Sequence, residues 1–168
     1  MNKKELSIYF IIVVLIIISS GYFYARNIIS DISKTIIDNI EEEDWRVEDY
    51  VLFPPSMKLV LTYSISNPSK TPVEIEMDID FYSGDYKISN LKKYQKILPG
   101  DKSTFEIELD YTFEMLEKIY GNVEGYDKFT MDGWFKVKGN ILFYPVESTI
   151  IFNGEDVSSI LPLFDAPF

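Results

Sequence analysis

The chain has 168 residues, with 16 basic and 27 acidic side chains, a formal net charge of −11, and neither Cys nor His. This excludes disulfides, the usual zinc, haem and iron–sulfur sites, and Ser-His-Asp or Cys-His nucleophiles. So acidic a chain is also a poor partner for nucleic acid or an anionic lipid surface, because phosphate binding needs clustered Lys and Arg.

Lys3 and Lys4 precede a stretch without charge from Ile8 to Ala25, and Arg26 ends it. Eighteen helical residues at ~1.5 Å each span ~27 Å, close to the ~30 Å hydrocarbon core. Residues 8–25 are therefore expected to lie in the lipid bilayer. Tyr22, Phe23 and Tyr24 fall where an interfacial aromatic belt belongs. A secretory signal peptide cut after Ser19, Ser20 and Gly21 is the competing reading. The sequence favours a retained anchor over residues 1–26, because apolar character continues past Gly21 and no A-x-A site is present. Residues 1–26 carry a net +2 and the remainder a net −13. By the positive-inside rule this expects a single-pass protein with a cytoplasmic N-terminus and an extracytoplasmic domain.

Residues 27–46 are expected to hold an amphipathic juxtamembrane helix. Ile28, Ile29, Ile32, Ile36, Ile37 and Ile40 share one face, with Asp31, Lys34, Asp38 and Glu41 opposite. The stripe can pack on the chain's own domain, or it can be a seam for self-association or a protein partner through Ile28, Ile32, Ile36 and Ile40. Glu41 to Asp44 reads as a solvated, fraying helix end, since acidic residues oppose the dipole there.

From Trp45 onward the apolar period becomes two. Met57, Leu59, Leu61, Tyr63 and Ile65 form one run. Val73, Ile75, Met77, Ile79 and Phe81 alternate with Glu74, Glu76, Asp78 and Asp80. Phe105, Ile107, Leu109 and Tyr111 alternate with Glu106, Glu108 and Asp110. Phe129, Met131, Phe135 and Val137 follow, and Ile141, Phe143, Ile150 and Phe152 suggest two more short runs. Turns are expected at Asn67-Pro68, Ser83-Gly84-Asp85, Pro99-Gly100-Asp101, Gly139-Asn140 and Asn153-Gly154. Such strands, each with one wet face, predict a mainly β domain over residues 47–168: an antiparallel sandwich of about seven strands. Residues 112–120 predict a helix with Phe113, Leu116 and Tyr120 on one face and Gly121 as its cap. The apolar tail Ile160–Phe168 is expected to pack as an extended segment or an extra strand. Residues 45–168 alone are expected to be soluble and β-rich.

The string from Leu59 to Lys70, with its strand entering Asn67-Pro68, is similar to the opening of a WHy domain (water stress and hypersensitive response). This is the late embryogenesis abundant type 2 family. Val73–Phe81, the Leu98-Pro99-Gly100-Asp101 turn and Phe135–Ile141 resemble its following elements. The resemblance covers roughly residues 48–154. It implies a fibronectin-like β-sandwich, membrane anchoring and a desiccation or stress role, with no catalytic residues to carry over. Asn67-Pro68 itself is expected to be a structural corner, since Asn bonds local amides and Pro pre-sets φ.

No catalytic, cofactor-binding or metal-ligating residue is assigned. No nucleotide-binding glycine motif occurs, so no cofactor is expected and the chain is not expected to be an enzyme. Seven carboxylates would share a surface if strands 73–81 and 105–111 were neighbours. Alternate strand residues stand ~7 Å apart, too wide for one cation to gather several. A solvated face with Lys partners is therefore expected. Trp134 falls on the polar phase of its strand and is expected either to be an exposed binding aromatic or to cover the Ile-rich helix.

Overall fold

The computed structural model describes residues 3–121 and 128–158. The expectation for the tail Ile160–Phe168 lies outside the described residues. Among the described residues nine elements follow one another: α1 (Lys3–Asp38), β1 (Glu41–Leu52), β2 (Pro55–Ser66), β3 (Val73–Ser83), β4 (Tyr86–Ile97), β5 (Lys102–Tyr111), α2 (Phe113–Tyr120), β6 (Phe129–Ile141) and β7 (Tyr144–Asp156). The seven strands form two antiparallel sheets, ordered β1-β2-β5 and β4-β3-β6-β7. This is the expected fibronectin-like sandwich.

Alternation builds the core. β3 buries every second residue from Val73 to Ser83, and β5 buries Phe105, Ile107, Leu109 and Tyr111. Leu59, Leu61, Tyr63 and Ile65 of β2 face them, with Phe129, Phe135 and Val137 of β6. Gly133 takes an inward position between Met131 and Phe135. An added Cβ there would lie 2.2 Å from the Asp78 carbonyl oxygen, and φ is +142°. Only glycine lets β6 approach β3 this closely.

Several boundaries differ from the sequence reading. The apolar helix continues unbroken into the amphipathic one, as expected, but the 36-residue element stops at Asp38. Glu41–Asp44 opens β1 instead of ending a helix, so a boundary at residue 46 falls inside a strand. The reason is electrostatic. Carboxylates oppose a helix C-terminus, whereas in β1 Glu41 and Glu43 both pair with Lys102, and Glu43 accepts from Ser64 Oγ at 2.6 Å. Gly139-Asn140 is strand, and the reversal comes at Leu142-Phe143. Gly154, at φ +63°, is the extra residue of a bulge facing Met131–Asp132, not a turn. β4 is an edge strand whose inward phase includes Lys93 and Gln95, a pattern that hides it from a period-two reading and blunts the edge.

α2 starts at Thr112, whose side chain accepts from Met115 N, and ends at Gly121, whose N–H donates to the Glu117 carbonyl. Its buried face is Met115, Leu116 and Ile119, while Phe113 is exposed. The side chain of Tyr120 lies outside the described residues.

The distal half of α1 belongs to the sandwich core. Ala25, Ile29, Ser33 and Ile36, spaced four, four and three apart, have no accessible surface. They lie against β6 and β7 and reach β2, and the Ile29 side chain fills the space beside Gly139. The helix thus covers the part of the larger sheet that a three-stranded partner leaves open.

Candidate functional site

The acidic residues divide between two surfaces. β3 and β5 lie in different sheets, so the seven carboxylates do not share a face. On the four-stranded sheet, Glu76 pairs with Lys138 at 2.7 Å, Asp78 with Lys92 at 3.0 Å and Asp80 with Lys87 at 2.7 Å. Asn90 donates to both Asp78 and Asp80. On the other sheet, Arg46 holds Glu48 and Glu106, and Lys58 holds Glu108 at 2.9 Å. The register explains this lacing, since β3 carboxylates stand opposite Lys92 and Lys96 on β4 and Lys136 and Lys138 on β6.

The charges respond accordingly. The Asn90 amide, then the Lys92 ammonium, hold Asp78 below the usual carboxylate range. Lys87 and Asn90 do the same for Asp80, and Lys58 for Glu108. Among the described residues, no group of three or more carboxylates is arranged to hold a metal ion. The surfaces are solvated, cross-strand paired faces.

Asn67 is buried and its polar groups are occupied. Its Nδ2 donates to the Thr71 carbonyl at 2.9 Å and the Ile97 carbonyl at 3.1 Å. Its Oδ1 accepts from Ser69 N and Ser69 Oγ. Its backbone N–H donates to the Asp101 carbonyl, and its own carbonyl accepts from Gly100 N at 2.8 Å. One side chain and one peptide unit therefore tie the β2–β3 loop to the Pro99-Gly100 turn. It is a structural corner.

Trp134 is half-buried on the outer face of the larger sheet, with Lys136 Nζ 5.2 Å from its ring centroid. Thr149 and Ile151 of β7 line the same shallow depression. α1 packs on the inner side, so Trp134 does not cover it. The Ile stripe is likewise taken up inside the chain. Ile36 is fully buried, and Ile28, Ile32 and Ile40 pack partly buried against the core.

Two long apolar stretches are exposed among the described residues, besides the Leu142-Phe143 turn. The first is α1 from Ile8 to Tyr24, apolar and bare apart from its last turns. The second is β1, missed in the sequence because bulges at Glu42/Asp44 and Glu48/Val51 interrupt its alternation. Trp45 and Val47 oppose the buried Leu61 and Leu59, yet are about half exposed, and Tyr50, Leu52 and Phe53 are more so. The apolar W-x-V pair was the available signal. Among the described residues β1 has β2 as its one strand neighbour.

No family of known proteins matches the chain, and no curated protein matches it. Several solved structures are similar in fold. A Bordetella pertussis protein described as ApaA is 11% identical over 68% of this chain and 89% of its own, with a TM-score of 0.43. An Archaeoglobus fulgidus protein is 13% identical over 67% and 98%, with a TM-score of 0.31. An Arabidopsis thaliana protein solved in solution is 15% identical over 66% and 77%, with a TM-score of 0.32. Similarities this low carry no statement about activity.

Proposed function

We propose that the chain is a single-pass membrane protein that fixes a non-enzymatic β-sandwich of the WHy type on the extracytoplasmic face of the membrane, where it binds or protects components of the cell surface. The observation that carries the reading is the continuity of α1. One helix is bare and apolar from Ile8 to Tyr24 and then supplies Ala25, Ile29, Ser33 and Ile36 to the domain core. A domain built around the end of its own anchor cannot drift from the bilayer. The lysines before the apolar stretch support an N-terminus left in the cytoplasm. The Asn67 corner, the Pro99-Gly100 turn and the unbroken alternation of β3 support the WHy resemblance, and the absence of His and Cys supports a non-enzymatic role.

A membrane-impermeant amine reagent applied to intact cells should label domain lysines such as Lys92 and spare Lys3 and Lys4. Labelling confined to Lys3 and Lys4 reverses the orientation, and a mature N-terminus near Tyr22 replaces the anchor with a signal peptide. Cells lacking the protein should survive drying less well, and unchanged survival withdraws the stress role.

A second reading, a structural subunit of a surface assembly, is favoured by the exposed β1 edge with Trp45 and Val47. Light scattering of the detergent-solubilised full chain separates the two. A dimer abolished by Val47→Lys supports assembly through β1, and a monomer supports the first reading.

A further inference from the structure

The turn between β6 and β7 carries residues unsuited to its shape. Ile141 pairs with Tyr144, and Leu142 and Phe143 between them have φ of 50° and 72°. Two central residues in the left-handed region make the type I′ hairpin turn, which selects Asn-Gly or Asp-Gly because a Cβ is penalised there. Leu142 is 59% exposed and Phe143 101%. Neither side chain contributes to the core. In water a polar pair would suit this turn better, so whatever favours Leu and Phe lies outside the domain.

The position of the turn indicates what that is. Tyr144 lays its ring against α1 at Gly21, where an added Cβ would lie 2.7 Å from the tyrosine Oη. The same ring meets Tyr22 edge-on, with centroids 6.3 Å apart. Gly21 precedes Ala25, the last residue of the uncharged stretch, by about 6 Å of helix rise. A helix inserted as far as Ala25 therefore carries the hairpin tip to the depth of its own aromatic belt, Tyr22, Phe23 and Tyr24. Leu98, 51% exposed, stands in the turn that Asn67 ties to the same end of the sandwich. Tyr22 and the β2–β3 loop residues Thr71 and Pro72 line one cleft at this end.

We propose that Leu142-Phe143 is a second membrane contact, an apolar wedge that enters the lipid interface beside α1 and sets the tilt and rotation of the sandwich on the bilayer. It rests on the reading of α1 as a membrane span. Its occupant is lipid because the tip is continuous with that span. A single helix leaves a domain free to rotate about the helix axis, and a second insertion point off that axis removes the freedom.

The chain has no cysteine, so single-Cys variants can be labelled without background. Phe143→Cys, Leu15→Cys and Phe53→Cys, each carrying an environment-sensitive fluorophore, would be reconstituted as full-length protein in phosphatidylcholine vesicles with nitroxide-labelled lipids at two depths. Phe53 is 92% exposed at the other end of β2 and serves as the distal reference. The expected result is a blue-shifted label at 143 quenched several-fold more by the shallow nitroxide than the label at 53, with the label at 15 quenched by the deep one. A water-like label at 143 with a deeply quenched label at 15 overturns the wedge and leaves the anchor standing. An unquenched label at 15 overturns the anchor, and the wedge with it. A blue-shifted but unquenched label at 143 means a protein contact and also overturns the lipid assignment.

Discussion

Asn67 shows how one side chain can hold a fold without any chemistry of its own. It is fully buried, and its amide donates to the Ile97 carbonyl and to the Thr71 carbonyl, which also accepts from Ser69 Oγ. Leaving buried carbonyls unpaired costs more than the net value of the bonds themselves. Asn67→Ala is therefore expected to lower stability by about 3 kcal/mol in urea unfolding. Asn67→Asp should cost more, because a carboxylate would face two carbonyls. Gly133 is constrained by space instead of hydrogen bonds. With the Asp78 carbonyl oxygen 2.2 Å from any added Cβ, Gly133→Ala must part β3 from β6. It is expected to cost about 3 kcal/mol or more, read as a fall in melting temperature. Ser33 offers the opposite sign. Its hydroxyl is buried in the helix–sheet contact with no hydrogen-bond partner, so Ser33→Ala should stabilise by up to about 1 kcal/mol.

At the scale of elements, the outer face of β3 is where pH acts. Asp78 and Asp80 have folded pKa values below their ordinary 3.8. A depressed carboxylate contributes stability above its unfolded pKa and loses it as pH falls through the folded value. The β3 pairs therefore help at neutral pH and fade below about pH 4. The melting temperature of Asp78→Asn/Asp80→Asn should lie below that of the wild type at neutral pH, with the gap closing on acidification. A gap that is constant with pH would show that the pairs are not the source. Both side chains are partly exposed to solvent, so the effect should be small and should shrink in high salt. β3 was legible in the sequence because from Val73 to Phe81 its inward positions are all apolar and its outward ones all acidic. β1 and β4 were not, because bulges break their pairing, β1 is exposed along its whole length, and the inward phase of β4 includes Lys93 and Gln95. Their residues obey neighbours the local sequence does not name.

The whole molecule does not divide where its composition does. A boundary after residue 46 treats the helix as a stalk, yet Ala25, Ile29 and Ile36 belong to the same core as Val137 and Val146. Residues 45–168 alone should therefore not form the soluble domain that their strand pattern suggests. They lack the helix that covers β6 and β7 and the whole acidic run Glu41–Asp44 of β1. That fragment is expected to bind a hydrophobic dye and aggregate, whereas one starting at Gly21 should give a cooperative thermal transition by circular dichroism. Equal behaviour of the two would remove α1 from the domain. The same connection transmits orientation. Because the helix is packed and not hinged, the membrane reading proposed above would turn the end of the sandwich bearing Thr71, Gly100 and Phe143 to the bilayer, and the end bearing Phe53 and α2 away from it.

Some of this was determined by local sequence. A charge-free stretch from Ile8 to Ala25 makes a helix long and apolar enough to cross a membrane, and alternation over 73–81 and 105–111 sets strand character by the two-residue pleat. Thr112 and Gly121 bound α2 because caps act within one helical turn. Tertiary structure decided the rest. Two identical-looking acidic strands went to different sheets, because strand partnership depends on long-range pairing and not on the strand's own period. The Ile stripe became core, and the line through it proved to be Ala25, Ile29, Ser33 and Ile36, because the smaller sheet leaves β6 and β7 for a helix to cover. Leu142 and Phe143 read as strand in the sequence. The pairing of Ile141 with Tyr144 made them a turn, and the contact of Tyr144 with Gly21 set that turn beside the apolar stretch of α1.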